Sequence, residues 1–170
     1  MLIVGAGVIG ILTAQVARAY GAAEIVLIDR LASRRAVLEQ LGFDDFLVTN
    51  GAPLDAGPVD LVYDTVCSEA TVALGATALV PGGRLVLVAV PHGSAPLGIP
   101  FATVYRRELA LIASRNYVPD DFREAIRLLE QGAIETGPMV TATYPLADFA
   151  AAHAALTEHP ERHLKVLLRP

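Results

Sequence analysis

A chain of 170 residues that is 54% apolar can bury one ordinary core, with room for an attachment. Its mean hydropathy of +0.49 calls for a sheet covered on both faces, for a surface awaiting a partner, or for both. The net charge of −5 and the absence of any basic block exclude nucleic acid as a natural partner, and the single cysteine, Cys67, excludes an internal disulfide.

The first element is a short β-branched run, Leu2-Ile3-Val4, that stops at Gly5. Gly7 and Gly10 follow, and helix formers then occupy residues 11–20 up to a capping Gly21. This is strand, tight turn and helix, with G-x-G-x-x-G across the turn. Gly5 permits the reversal, Gly7 lets a pyrophosphate approach the backbone, and Gly10 lets the helix pack on the strand. The helix start, Val8 and Ile9 included, offers N–H groups and a partial positive charge to an anion. Residues 24–29 form a second buried strand ending in Asp29. That acid lies 19 residues after Gly10, close to the roughly 20 expected of a carboxylate that accepts hydrogen bonds from a ribose. Its charge repels a 2′-phosphate, which favours NAD over NADP. The plainer alternative is that Asp29 only caps the helix that follows.

That helix is expected over residues 31–41, with Arg30, Arg34 and Arg35 near its start and Gly42 at its end. Phe46-Leu47-Val48 is a short third strand. Residues 50–58 hold too many turn formers for a long crossover helix. A fourth strand covers residues 59–65. Ser68 caps a helix that reaches residue 79, Pro81-Gly82-Gly83 makes a turn, and residues 84–90 form the fifth and most apolar strand. A loop to Pro100, a helix over 103–106 and a sixth strand over 109–114 complete an alternation that specifies a doubly wound, six-stranded parallel sheet of Rossmann type in an α/β fold. Residues 85–105 carry no charge, but Pro91, Pro96 and Pro100 break them, so they do not read as a membrane span.

Beyond residue 116 the pattern changes into a helix–strand extension. Pro119, Asp120 and Asp121 open a helix with Phe122, Ala125, Ile126 and Leu129 on one stripe and Gly132 past its end. Residues 140–144 are extended, 146–157 are an alanine-rich helix, and 164–168 are a last strand. The four histidines, His92, His153, His159 and His163, do not cluster with other ligand types, so no metal site is expected in this chain. No tyrosine is followed by lysine four residues on, which argues against a short-chain reductase. Without a signal peptide the expected location is cytoplasmic.

Taken in order, several segments resemble the C-terminal half of the zinc-type medium-chain alcohol and polyol dehydrogenases, in the sorbitol and threonine dehydrogenase branch. They are Gly5-Ala6-Gly7-Val8-Ile9-Gly10 with Asp29, Asp64-Thr65-Val66, Pro81-Gly82-Gly83-Arg84, Val88-Ala89-Val90, Arg107-Glu108-Leu109, Ser114-Arg115-Asn116 and Lys165-Val166-Leu167-Leu168. The resemblance implies NAD as cofactor. Gly5, Gly7, Val8, Ile9 and Gly10 would lie at the pyrophosphate, Asp29 and Arg34 at the adenosine ribose, and Thr65 and Val66 beside the cofactor. Val88, Ala89 and Val90 would line the nicotinamide, and Arg115 would sit near its ribose or the phosphates.

The plain alternatives are a solvated charge for Arg34, a packing role for Cys67, a structural loop residue for His92 and a turn cap for Asp64. The resemblance also implies a homodimer through residues 109–114. It implies a division into a cofactor domain, 1–116, and an extension, 117–170, that returns to an N-terminal catalytic domain absent from this chain. The zinc and the substrate pocket would reside in that domain, so cofactor binding without turnover is expected. A zinc-free quinone reductase of the same superfamily is disfavoured by Asp29. A non-catalytic NAD(H)-sensing module is the competing class.

Overall fold

The computed structural model describes residues 1–49, 57–90 and 96–170. Six parallel strands form one sheet in the order β3-β2-β1-β4-β5-β6. They are β1 (Leu2–Val4), β2 (Val26–Asp29), β3 (Phe46–Val48), β4 (Val59–Asp64), β5 (Leu79–Leu87) and β6 (Ala110–Ala113). The order reverses between β1 and β4, where successive connections leave toward opposite edges. In such sheets this switch point opens a crevice at the carboxyl ends of the strands. The doubly wound Rossmann sheet expected from the sequence is therefore present.

Alternation along the strands explains its two covered faces. Ile3, Leu27 and Phe46 point to one side, where they meet Ile11 and Ala14 of helix α1 (Val8–Ala19) and Leu38 of helix α2 (Arg34–Gln40). Leu2, Val4, Ile28, Val62 and Leu85 point to the other. There they meet Val72 and Ala76 of helix α3 (Glu69–Ala78) and half-buried Val104 of helix α4 (Phe101–Arg106). Ser68 begins α3 through a reciprocal cap with Thr71.

Two elements differ from the sequence expectation for local reasons. Helix α2 begins at Arg34, because residues 31–33 form a turn whose first N–H, on Leu31, is taken by Asp29 Oδ1 at 2.9 Å. Strand β5 starts earlier and ends earlier than expected. Leu79 already pairs with Val59, while Arg84 pairs with Leu61. Pro81-Gly82-Gly83 is thus an excursion within the strand, with Gly82 at φ 78 and its N–H on the Arg107 carbonyl. At the far end Val88 still donates to Asp64 O, but Ala89 and Val90 have left the ladder, and the Val90 side chain is 74% exposed.

Residues 117–170 contain helix α5 (Pro119–Glu130), strand β7 (Val140–Pro145), helix α6 (Phe149–Glu158) and strand β8 (Lys165–Arg169). β7 and β8 pair in parallel as a separate ribbon, with α6 as the crossover. This segment shares the α1 side of the core, because Met139 and Leu164 are buried among Ile3, Ile11 and Leu38. Of α5 only Leu128 is buried; the stripe of Phe122, Ile126 and Leu129 is exposed. No helix among the described residues is long and apolar enough to cross a membrane.

Candidate functional site

The crevice at the switch point is framed by the loop of residues 5–10. Gly5 has φ +95, a conformation that L side chains rarely adopt. A Cβ there would lie 2.5 Å from Thr65 Oγ1 and 2.9 Å from a Val66 methyl. A Cβ on Gly10 would meet the Gly5 carbonyl oxygen at 1.8 Å. Both glycines are thus demanded by the protein's own packing. Gly7 is different: it is extended, with φ −77, and a Cβ on it would meet nothing within 4 Å. Nothing inside the described chain requires a glycine at this position. It is the N-cap of α1, so the first-turn N–H groups of that helix follow directly on it and no side chain caps them.

Asp29, at the tip of β2, closes one side of the loop. Its Oδ2 accepts from the Ala6 N–H at 2.7 Å and its Oδ1 from Leu31. The acid therefore does cap the following turn, and it also fixes the glycine loop.

Thr65 closes the other side. Its N–H and its hydroxyl both donate to the Val4 carbonyl, at 2.9 and 2.8 Å, and the hydroxyl lies 3.3 Å from the Gly5 carbonyl. Val66 and Cys67 continue the turn, held by Asp64. The Cys67 thiol donates to the Asp64 carbonyl, and burial pushes it above the ordinary thiol value. The Asp64 charge adds to that rise, while the N–H groups of Ala89 and Val88 oppose it. These contacts bring Gly5, Gly10, Asp29, Thr65, Val66, Val88 and Ala89 to one end of the sheet. Ile9 is exposed beside them.

Arg34 and Arg115 stand apart from this group. Arg34 is neither free in solvent nor turned only toward Asp29. Its guanidinium donates to the Pro160 carbonyl at 2.8 Å and the His163 carbonyl at 3.3 Å, so it fastens the C-terminal segment. Burial lowers its pKa, and Asp29 opposes the shift. Its Nε is buried with no hydrogen-bond partner among the described residues. Arg115 lies past β6 and lines a cavity of 630 Å³ with Tyr63, Val86, Ile112 and Val118, on the sheet face opposite α3. His92 falls outside the described residues. Among those residues no group of three or more His, Cys, Asp or Glu side chains is placed to hold a metal ion.

Sequence reasoning left Asp64 aside as a turn cap. Only its position at a strand end could have flagged it; its complete burial emerges from the packing of β1, β4 and β5.

Comparison with known proteins accords with this architecture. D-xylulose reductase of Saccharomyces cerevisiae is 24% identical, covering 98% of this chain and 50% of that protein. 2-Dehydro-3-deoxy-L-galactonate 5-dehydrogenase of Pseudoalteromonas atlantica is 31% identical, covering 94% of this chain and 48% of its own length. The chain thus spans about half the length of the curated relatives it matches. Among solved structures, the short chain alcohol dehydrogenase rspB of Escherichia coli CFT073, complexed with cofactor NADH, superposes with a TM-score of 0.90 at 24% identity. The match covers 99% of this chain and 51% of that one. A thermostable alcohol dehydrogenase from Pyrobaculum aerophilum gives a TM-score of 0.83 at 32% identity, over 99% and 49% of the two chains. The family described as zinc-binding dehydrogenase matches residues 8–131, most of the chain, and to that family this chain belongs.

Proposed function

We propose that this chain is the NAD(H)-binding half of a zinc-dependent alcohol or polyol dehydrogenase. The observation that carries the reading is the contrast among the three glycines. Packing accounts for Gly5 and Gly10, whereas Gly7 opens on empty space at a helix start, as a pyrophosphate cradle requires. The fit extends to both flanks of that cradle. Asp29 stands at the neighbouring strand tip, where a ribose diol needs an acceptor, and its charge disfavours a 2′-phosphate.

In this reading Gly7, Val8, Ile9 and Gly10 receive the diphosphate on their N–H groups. Thr65 and Val66 with Val88, Ala89 and Val90 flank the nicotinamide half. Arg115, past the end of β6, would have to turn toward it from the cavity that it lines, and Arg34 would border the adenosine half while it holds the C-terminal segment. Bound NAD would supply a hydride acceptor; the chain's own residues bind and orient it. We assign the polarising zinc and the substrate pocket to the half of the relatives' length that this chain does not match. By itself the chain is then expected to bind NADH and to turn over little or no alcohol. The division at residue 116, a homodimer through the open edge at β6 and a cytoplasmic location belong to the same proposal. The names of the relatives and the NADH carried by the rspB structure support the dehydrogenase and cofactor part of it.

The test is Gly7→Ala. Its extended backbone and free surroundings accept a methyl group, so stability should fall by no more than a weakened cap allows, about 1 kcal/mol or less, read as a small shift in melting temperature. NADH affinity, read from cofactor fluorescence, should fall about tenfold or more through lost close approach. Binding equal to that of the unaltered chain would remove the pyrophosphate from this loop.

A further inference from the structure

Two polar side chains are fully buried among the described residues, Gln15 and Asp64. Gln15 is matched on both of its amide atoms by the backbone of Glu135, at 2.7 and 3.0 Å. Asp64 is not matched in this way. Its Oδ1 accepts from the Val66 N–H at 2.9 Å and from the Cys67 N–H at 2.8 Å, and its Oδ2 has no partner among the described residues. A carboxyl group is costly to enclose, and one retained with half of it unanswered needs a reason beyond capping a surface turn.

The reason lies in what the turn touches. Accepting two successive N–H groups curls the chain back at residues 65–67 and puts Cys67 at φ 53, left-handed backbone for a residue with a side chain. The curl delivers Thr65 onto the Val4 carbonyl and within 3.3 Å of the Gly5 carbonyl. It also places a Val66 methyl where a Cβ on Gly5 would sit 2.9 Å away. The Asp64 carbonyl meanwhile takes the Val88 N–H, which ties in the end of β5. One residue therefore links the glycine loop, the turn after β4 and the segment after β5.

We infer that Asp64 is the positioning residue of the cofactor crevice: its carboxyl group sets the 65–67 turn against the glycine loop on the nicotinamide side. The inference rests on the dinucleotide reading above. The Asp29 side of the crevice has its own hydrogen bonds, to Ala6 and Leu31, and does not depend on Asp64.

That asymmetry supplies the test. NADH and AMP are titrated against the unaltered protein, Asp64→Ala and Asp64→Asn, with melting temperatures recorded in parallel. Asp64→Ala should bind NADH about tenfold more weakly, as expected for a displaced contact surface, while AMP affinity stays unchanged. Asp64→Asn keeps an acceptor for both N–H groups and should bind NADH within about twofold of the unaltered protein. If Asp64→Ala does not fold, Asp64→Ser keeps a shorter acceptor and should show a smaller loss confined to NADH.

Unchanged NADH affinity in the alanine or serine variant overturns the inference and leaves the dinucleotide reading intact. A parallel loss of NADH and AMP also overturns it, because the residue would then support the fold alone. Failure of Asp64→Asn to restore NADH binding counts against the acceptor role in the same way. Unaltered protein that ignores NADH brings down both readings together.

Discussion

Asp29 carries two tasks with one carboxylate. It braces the glycine loop through Ala6 and the turn of residues 31–33 through Leu31, and in the proposed reading it also accepts from a ribose. Asp29→Ser removes the charge and shortens the reach. Hydrogen bonds to charged groups contribute about 1.5–3 kcal/mol, so NADH affinity should fall by one to two orders of magnitude. NADPH should lose less, because the repulsion of its 2′-phosphate goes too. Calorimetry on the two cofactors checks this; an unchanged preference removes the assigned role. The spacing of Asp29 from Gly10 is legible in the sequence because both belong to one βαβ unit. The present engagement of Arg34 is not, since its carbonyl partners lie 126 and 129 residues away. Asp64 is an intermediate case: its place at a strand end is local information, whereas its burial depends on two neighbouring strands.

Among the elements, the sheet order and nearly every helix follow from apolar runs punctuated by glycine and proline. Strand β5 shows where such punctuation misleads. Pro81-Gly82-Gly83 reads as a turn and is one, yet Leu79 before it already pairs with β4, so the turn interrupts a strand instead of preceding one. Helix α5 shows a second limit. Its stripe of Phe122, Ile126 and Leu129 has the right spacing for a core face, but in this chain those side chains meet solvent. What joins α5 to α1 instead is polar: the Tyr20 hydroxyl donates to Glu124 at 2.5 Å, and Glu124 pairs with Arg127. Arg127 first, then Tyr20, holds the Glu124 carboxyl down at about 2, from an ordinary 4.5, and the hydrogen bond to Glu124 in turn pushes the Tyr20 phenol up. An acid with a depressed value contributes its stability in full above the ordinary value and loses it as pH falls toward the depressed one. The melting temperatures of Glu124→Gln and the unaltered chain should therefore differ at pH 6 and converge between about pH 4.5 and pH 2. Because Arg127 is exposed and Glu124 only half-buried, the difference will be small and will shrink in salt.

At the scale of the molecule, three polar latches among the described residues hold the segment 117–170 to α1 and α2: Gln15 with Glu135, Tyr20 with Glu124, and Arg34 with the carbonyls of residues 160 and 163. None was visible in the sequence, because each joins residues more than a hundred positions apart. β6 lies at the end of the sheet, where a further strand could add to its outer edge, and Ala110, Ile112 and Ala113 are exposed along it. If two copies pair there, light scattering at high concentration should give twice the mass of the chain, and a clean monomer would end the dimer proposal.

Strand β8 has a practical consequence of its own. It opens at Lys165, which is exposed and is the single lysine of the sequence. An acylating fluorophore therefore meets one lysine side chain in this sequence, at the margin of the small β7–β8 ribbon. A dye placed there would report on how the ribbon is covered while leaving the nucleotide cradle chemically untouched.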